Sequence, residues 1–351
     1  MTGSTGSTGM TGSTGEQHGP VDPQVAAAIG PEAVVKATAM PGGFYNDTRL
    51  LELTDGRRLV WKRAPAMDAP ALTHERGLLG TERLFHGLAA AAGVRVPKVV
   101  HHHAPVHDGA AGEGEWLLLE FLEGTTWDSE RDRIDPERRS ALRRRLGETA
   151  ARIATATGPE FGYPQTIDPV LRGPDWPTAF GRMLAAVLAD AVRYGVPLPV
   201  PEPELAALPD RFATELAEVR RPALVHFDAW EGNVILAPAA HGHLDLVGVI
   251  DGERSFFGDP LAELVGLDPL GTAEHDADLL AGYRTVTPDL PLHPAAQARL
   301  ALYRIYLALI MRIEAAPRRY DPDRTHWLTT WSAPRITEQL ALLDRLSTGR
   351  A

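Results

Sequence analysis

The sequence predicts an α+β protein in two lobes, a small β-rich one followed by a larger, mainly helical one. Three observations carry this. Strand signals around a tight turn crowd the first hundred or so residues after the tail, with one substantial helical pattern among them. Helical periodicity dominates after Gly124. Two short apolar runs broken by polar residues, "LVHFDAWEGNVIL" and "VIDGERSFFGDP", then interrupt the helical half. The expected division is 1–21 as a disordered Gly/Ser/Thr tail, 22–122 as the N-terminal lobe and 123–351 as the C-terminal lobe.

The elements follow in order. "PEAVVKATAM" reads as a short helix or as the lead into a strand. In "NDTRLLELTDGRRLVWKRA", Leu51 and Leu53 alternate around Glu52, and Asp55–Gly56 is a hairpin signal. From Leu72 to Ala92, the residues Leu78, Leu79, Leu84, Leu88 and Ala91 recur at helical spacings. "EWLLLEFLEG" is an apolar strand that stops at Gly124. Beyond it, "PERRSALRRRLGETAARIATATG" places Leu142, Leu146, Ala150 and Ile153 on one helix face behind a helix-opening proline. "PTAFGRMLAAVLADAVRYG" and "RLALYRIYLALIMRIEAA" are further helices, and "PEPELAALPDRFATELAEV" lies between them. Segments 101–114, 157–177 and 268–293, rich in Pro, Gly or His, read as connections.

Composition removes several functions. The 351 residues contain no cysteine, which excludes disulfides, a thiol nucleophile and a cysteine-ligated metal. A net charge of -11 argues against nucleic acid as partner, since phosphate backbones need a basic surface. No apolar run reaches membrane-spanning length. The N-terminus, "MTGSTGSTGMTGSTGEQHGP", has neither the basic nor the apolar region of a secretory signal. A cytoplasmic protein is expected, with no membrane partner, as monomer or homodimer. The three histidines His101–His103 have no acidic partners at ligand spacing and read as a loop feature.

The two interrupted apolar runs carry the chemistry. The first supplies His226, Asp228 and Asn233; the second supplies Asp251, Glu253 and Asp259. A loop aspartate, an asparagine five residues on and a further aspartate after a hairpin suit phosphoryl transfer. One carboxylate orients the attacking hydroxyl, and an amide oxygen with a second carboxylate holds hard cations against phosphates. The plainer alternative is a pair of Asx turns capping strands.

These motifs resemble the aminoglycoside phosphotransferase (phosphotransferase enzyme) family, which has a protein-kinase-like fold. The family's catalytic loop has the form His-Gly-Asp, four residues, Asn; here it reads "HFDAWEGN". The resemblance implies Asp228 as catalytic aspartate, His226 as the histidine bracing the loop, and Asn233 and Asp251 as magnesium ligands. Glu253 stands at an acidic position that approaches a second cation or braces the loop. Asp259 reads as structural or near the acceptor pocket. By position in "RRLVWKRA", Lys62 matches the phosphate-binding lysine, and Glu82 is its expected helix partner, with Glu75 as the alternative. "GGFYN" resembles the family's phosphate-covering loop, so Gly42, Gly43 and Asn46 are expected at the nucleotide. Glu120 to Leu122 would present backbone groups to adenine. Two residues depart from the pattern: Phe227 replaces a glycine, and Gly252 replaces a frequent aromatic or aliphatic residue.

The implied activity is ATP-dependent, magnesium-assisted O-phosphorylation of a small-molecule hydroxyl, with GTP left open as donor. An antibiotic is the first-choice acceptor. A sugar or ketosamine kinase and a non-catalytic kinase-like binding protein are the alternatives. Trp176, Trp230, Trp327 and Trp331 are candidate acceptor walls. Glu202, Glu204, Glu274 and Asp278 form a cation-binding cluster only on paper.

Overall fold

The computed structural model describes residues 23–30, 33–40, 45–104, 114–164, 169–239 and 242–348. The predicted tail and the Gly42–Gly43 turn lie outside them. Helix α1 (Pro23–Ile29) precedes strands β1 (Val34–Ala39), β2 (Asp47–Leu53) and β3 (Arg58–Arg63). The β2–β3 turn closes at Asp55–Gly56: Gly56 takes φ +83°, and Asp55 Oδ1 accepts the Arg57 amide at 3.0 Å. Helix α2 (Leu78–Ala91) is followed by β4 (Val99–His103) and β5 (Trp116–Glu120). The strands form one antiparallel sheet ordered β1-β2-β3-β5-β4.

Strand alternation decides which way Lys62 faces. Leu59 and Trp61 pack with Val25, Trp116 and Leu118 on one side of this sheet. On the other, Val60 packs with Leu117, Leu119 and Leu79 of α2. Lys62 is in step with Val60, so its buried side chain reaches toward α2.

Two expectations here need correction. The predicted helix starts at Leu78 rather than Leu72; residues Thr73–Glu75 form a separate 3-10 turn, tied to Asp190 by the Thr73 amide and hydroxyl. The histidine tract is strand, not loop. His101 and His103 stack on Trp116 of the neighbouring strand, with centroids 4.9 and 5.6 Å apart, and His102 pairs with Glu115 at 2.9 Å. Such cross-strand aromatic pairs stabilise a sheet in a way a single sequence does not display.

The rest of the chain adds β6 (Thr125–Thr126), α3 (Trp127–Glu130), α4 (Pro136–Ile153), β7 (Phe161–Gly162), β8 (Arg172–Gly173) and α5 (Trp176–Arg193). Then come α6 (Glu202–Ala206), α7 (Leu208–Arg211), α8 (Ala213–Leu216), β9 (Ala223–Val225), β10 (Val234–Pro238), β11 (Leu244–Val249) and β12 (Phe256–Gly258). The last elements are α9 (Ala262–Leu267), α10 (Ala277–Arg284), α11 (Pro294–Ile313) and α12 (Pro322–Thr348). Asp135 and Asp175 cap α4 and α5, each with proline in the first turn. β11-β10-β6 and β8-β7-β12-β9 form two small sheets.

Helix α10 occupies part of 268–293, which the sequence marks as a connection. Its eight residues are too few to establish a period, and packing on α4 makes it helical. The polar helix α12 was likewise not anticipated; it buries Leu328, Ile336, Leu340 and Leu343 along one face, mainly against α11. Among the described residues, no helix is long and apolar enough to cross a membrane.

Candidate active site

Between the five-stranded sheet and the β9–β12 segment lies a cleft of about 510 Å³. Val60, Leu119, Ile235 and Ile250 supply apolar wall; Lys62, Glu82, Asp228, Asn233, Asp251 and Glu253 supply polar groups. These six come from β3, α2 and the two loops that the interrupted apolar runs predicted.

The first loop joins β9 to β10 and is folded on itself. His226 is buried, with Nε2 2.9 Å from the Ile250 carbonyl and Nδ1 accepting the Asp228 amide at 3.3 Å. Burial pulls its pKa down to about 4, so the ring is neutral and Nε2 donates. Asn233 Nδ2 donates to the Asp228 carbonyl at 2.8 Å. Its amide oxygen is thereby left for a hard cation. From α9, Glu263 Oε2 accepts the His226 amide at 2.6 Å. This buried glutamate was missed, although an acid inside the apolar "PLAELVGL" was a usable signal.

Phe227, which stands where the family has glycine, takes a left-handed backbone that suits glycine, with φ 63°. Left-handed geometry costs a non-glycine residue roughly 1–2 kcal/mol. The ring offsets this by burial against Phe256 and Tyr306, at centroid distances of 5.1 and 6.1 Å. Gly266 approaches from the other side: a Cβ there would stand 2.4 Å from the Phe227 carbonyl carbon.

The second loop follows β11. Asp251 has φ 65°, and its Oδ1 lies 2.5 Å from Lys62 Nζ. Lys62 Nζ also reaches both Glu82 oxygens, at 2.7 and 2.8 Å. Burial alone would lower the Lys62 pKa; Asp251 and Glu82 more than reverse it. Burial likewise works to raise Glu82, but Lys62 prevails and brings it down to about 2. Glu253 Oε2 accepts from Asn46 Nδ2 at 2.6 Å, so Asn46 braces the second loop from the sheet side.

Glu82, Asp251 and Glu253 can each bring one oxygen within 4.8 Å of the others. Burial, then Asp251, raises the Glu253 pKa. Burial raises Asp228 to about 7 against the pull of Arg254. Carboxylates thus outnumber cationic groups on this wall. Oxygen donors gathered in this way have the chemistry that a hard divalent cation takes.

A chain of charges that sequence reasoning did not find backs Asp228. Arg254 Nε is 3.6 Å from Asp228 Oδ2, and its other end pairs with Glu314 at 2.7 Å. Arg318 pairs with Glu314 at 3.5 Å and with Glu75, and its guanidinium lies over the Tyr45 ring at 5.1 Å. Glu75 therefore serves this chain, while Lys62 pairs with Glu82. Arg254 stood inside a quoted motif; Glu314 and Arg318 are 60 or more residues away and gave no signal.

Of the remaining candidates, Glu120 and Leu122 line the cleft, as does the half-exposed Trp230. Trp176 is core, stacked on Phe256, and Trp327 and Trp331 stack on each other along α12. Asp259 is buried, paired with Arg299 at 2.8 Å and accepting from Tyr303 at 2.8 Å, a structural arrangement. Glu274 and Asp278 are tied to Arg304 and Arg144, and none of the acidic quartet lines the cleft.

No curated protein sequence matches the chain. A candidate fructosamine-3-kinase from Thermobifida fusca YX-ER1 is similar in structure, with a TM-score of 0.58 at 20% identity, over 90% of this chain and 98% of that one. A thermostable variant of aminoglycoside phosphotransferase APH(4)-Ia, in ternary complex with ADP and hygromycin B, gives 0.58 at 17% identity over 91% and 98%. Macrolide 2'-phosphotransferase type I gives 0.53 at 15% identity over 89% and 96%. Identities this low establish a shared fold, the two-lobed, kinase-like α+β fold. The model of the phosphotransferase enzyme family matches residues 36–301, most of the chain, and the protein therefore belongs to that family of small-molecule phosphotransferases.

Proposed function

We propose that the protein transfers the γ-phosphoryl group of ATP to a hydroxyl of a small molecule. The observation that carries this is the meeting in one cleft of Lys62, Glu82, Asp228, Asn233 and Asp251, from four separate segments of the chain. Lys62, held by Glu82, is the point charge for the α and β phosphates. The apolar wall and the Glu120–Leu122 backbone are suited to a purine, and GTP is the alternative donor. Magnesium, held by Asn233, Asp251 and Glu253, would neutralise phosphate charge.

Asp228 orients the acceptor hydroxyl and takes its proton. The acceptor oxygen forms a bond to Pγ as the bond from Pγ to the bridging oxygen breaks, and ADP leaves. Arg254 steadies the Asp228 carboxylate from behind. Positioning and charge compensation supply most of the rate. Because the donor is ATP, we place the enzyme in the cytoplasm.

For the acceptor we put an antibiotic hydroxyl first, supported by the kinship of fold with the aminoglycoside and macrolide phosphotransferases. The resemblance in fold to the candidate fructosamine-3-kinase supports a second reading, a metabolic sugar or ketosamine kinase. The deciding experiment incubates the protein with magnesium-ATP and a panel of antibiotics and amino sugars, with Asp228→Ala as blank. The expected product is heavier by one phosphoryl group and absent from the blank. Near-full transfer by Asp228→Ala would overturn the role of Asp228. Failure of the wild type to bind magnesium-nucleotide would favour a kinase-like binding protein without catalysis.

A further inference from the structure

Helix α2 does more than present Glu82. Phe85 lies three residues on, on the same helix face, and is fully buried. Its ring meets the catalytic loop edge-on, with the His226 centroid 4.7 Å away at 78°. It also rests directly on the second loop. A Cβ built on Gly252 would stand 2.2 Å from Phe85 Cδ1 and 2.5 Å from Cγ, a distance no side chain tolerates.

Gly252 is not among the residues of positive φ, so its backbone conformation does not demand glycine. The Phe85 ring demands it. An aromatic ring from α2 occupies the volume that a side chain at this position would take. The neighbouring Asp251 carries the unfavourable φ of 65°, which persists only where its surroundings enforce it.

We propose that Phe85 is a positioning residue for phosphoryl transfer, with Gly252 as its socket. One rigid ring locks α2 to both loops, so that the Lys62–Glu82 pair, Asp251 and Asp228 keep their mutual placement. A shift of α2 would move Glu82 and release the loop backbone together. The role rests on the phosphotransferase reading above.

The test uses the full-length protein, with magnesium-ATP hydrolysis to water as the readout that needs no acceptor, rates being normalised to folded protein. Phe85→Ala is expected to lower turnover about 30- to 100-fold, the scale of a small misplacement of reacting groups. The nucleotide KM should change less than about threefold, since the sheet and the Glu120–Leu122 backbone are untouched. Phe85→Leu should recover part of the turnover. Gly252→Phe alone should collide and lose activity, whereas Phe85→Ala combined with Gly252→Phe should regain turnover by supplying the ring from the loop.

In urea, each single substitution should lower the unfolding midpoint and the double should lie above the additive expectation. Unchanged turnover per folded molecule in Phe85→Ala, or additive behaviour of the pair, overturns the proposal. Wild-type protein that neither binds nor hydrolyses nucleotide overturns the phosphotransferase reading instead, and the urea cycle still decides whether the ring and its socket are coupled.

Discussion

The Nζ of Lys62 stands 2.7 and 2.8 Å from the two carboxylate oxygens of Glu82, and both residues are buried. Removing the charge of Glu82 leaves Lys62 leaning on Asp251 alone. Glu82→Gln is therefore expected to weaken nucleotide use about 10- to 100-fold in kcat/KM, the scale of one charge-assisted contact. Glu75→Gln disturbs the pairing with Arg318 and should lower stability while leaving nucleotide KM nearly unchanged. Steady-state kinetics of both variants, beside their urea midpoints, separates the two glutamates.

The oxygen-rich wall predicts dependence on a divalent cation. Chelation should abolish transfer and added magnesium should restore it. Asp251→Asn should move the magnesium titration to higher concentration, because one charged holder becomes neutral. A magnesium titration of activity that is unchanged by this substitution would remove Asp251 from the set.

Phe227 gives a prediction against the family's usual residue. Phe227→Gly relieves roughly 1–2 kcal/mol of left-handed strain and gives up about 3–5 kcal/mol of aromatic burial. The net effect should be destabilisation by about 1–4 kcal/mol, with turnover per folded molecule largely kept. Urea unfolding measures the first and normalised kinetics the second.

Two buried histidines give the protein a component of acid sensitivity. Burial lowers His74 and His226 from their ordinary value of 6.5 to about 4. Between those pH values the unfolded chain binds the protons and the folded chain does not. The contribution of these two groups to stability therefore rises with pH across this window, by roughly 3 kcal/mol for each at most, while the buried carboxyls of Asp228, Glu253 and Glu263, raised by burial, contribute in the opposite sense there. His74→Phe keeps the stacking on Tyr163, whose centroid is 5.2 Å away, and removes one titrating group. The slope of stability against pH between 4 and 6.5 should be less positive in this variant than in the wild type, as followed by urea midpoints of both across pH.

The candidate chemistry was legible wherever its residues lie close together in sequence. His226, Asp228 and Asn233 share one loop, Asp251 and Glu253 share another, and apolar runs on both sides mark each as a rigid turn between strands. Lys62 followed from its position in "RRLVWKRA" once the two loops had indicated the family resemblance. What stayed hidden depends on distance in sequence. Arg318 reaches Glu75 across 243 positions, and no local pattern announces such a pair. Helix α10 and the strand nature of His101–His103 were misread because neighbouring elements, not local propensity, fix them.

By itself, then, the sequence determined the alternation that turns Lys62 toward α2, the helices with aspartate caps, and two polar loops held between buried strands. These are consequences of short-range sterics and of burial at fixed periods. Tertiary structure alone decided that Glu75 pairs with Arg318, that Arg254 and Glu314 back Asp228, and why two motif positions break pattern. Phe227 can hold a glycine's conformation because its ring is buried, and Gly252 must be glycine because Phe85 occupies the volume a side chain would take. Packing in three dimensions makes those choices, since only there do residues far apart in the chain compete for the same space and charge.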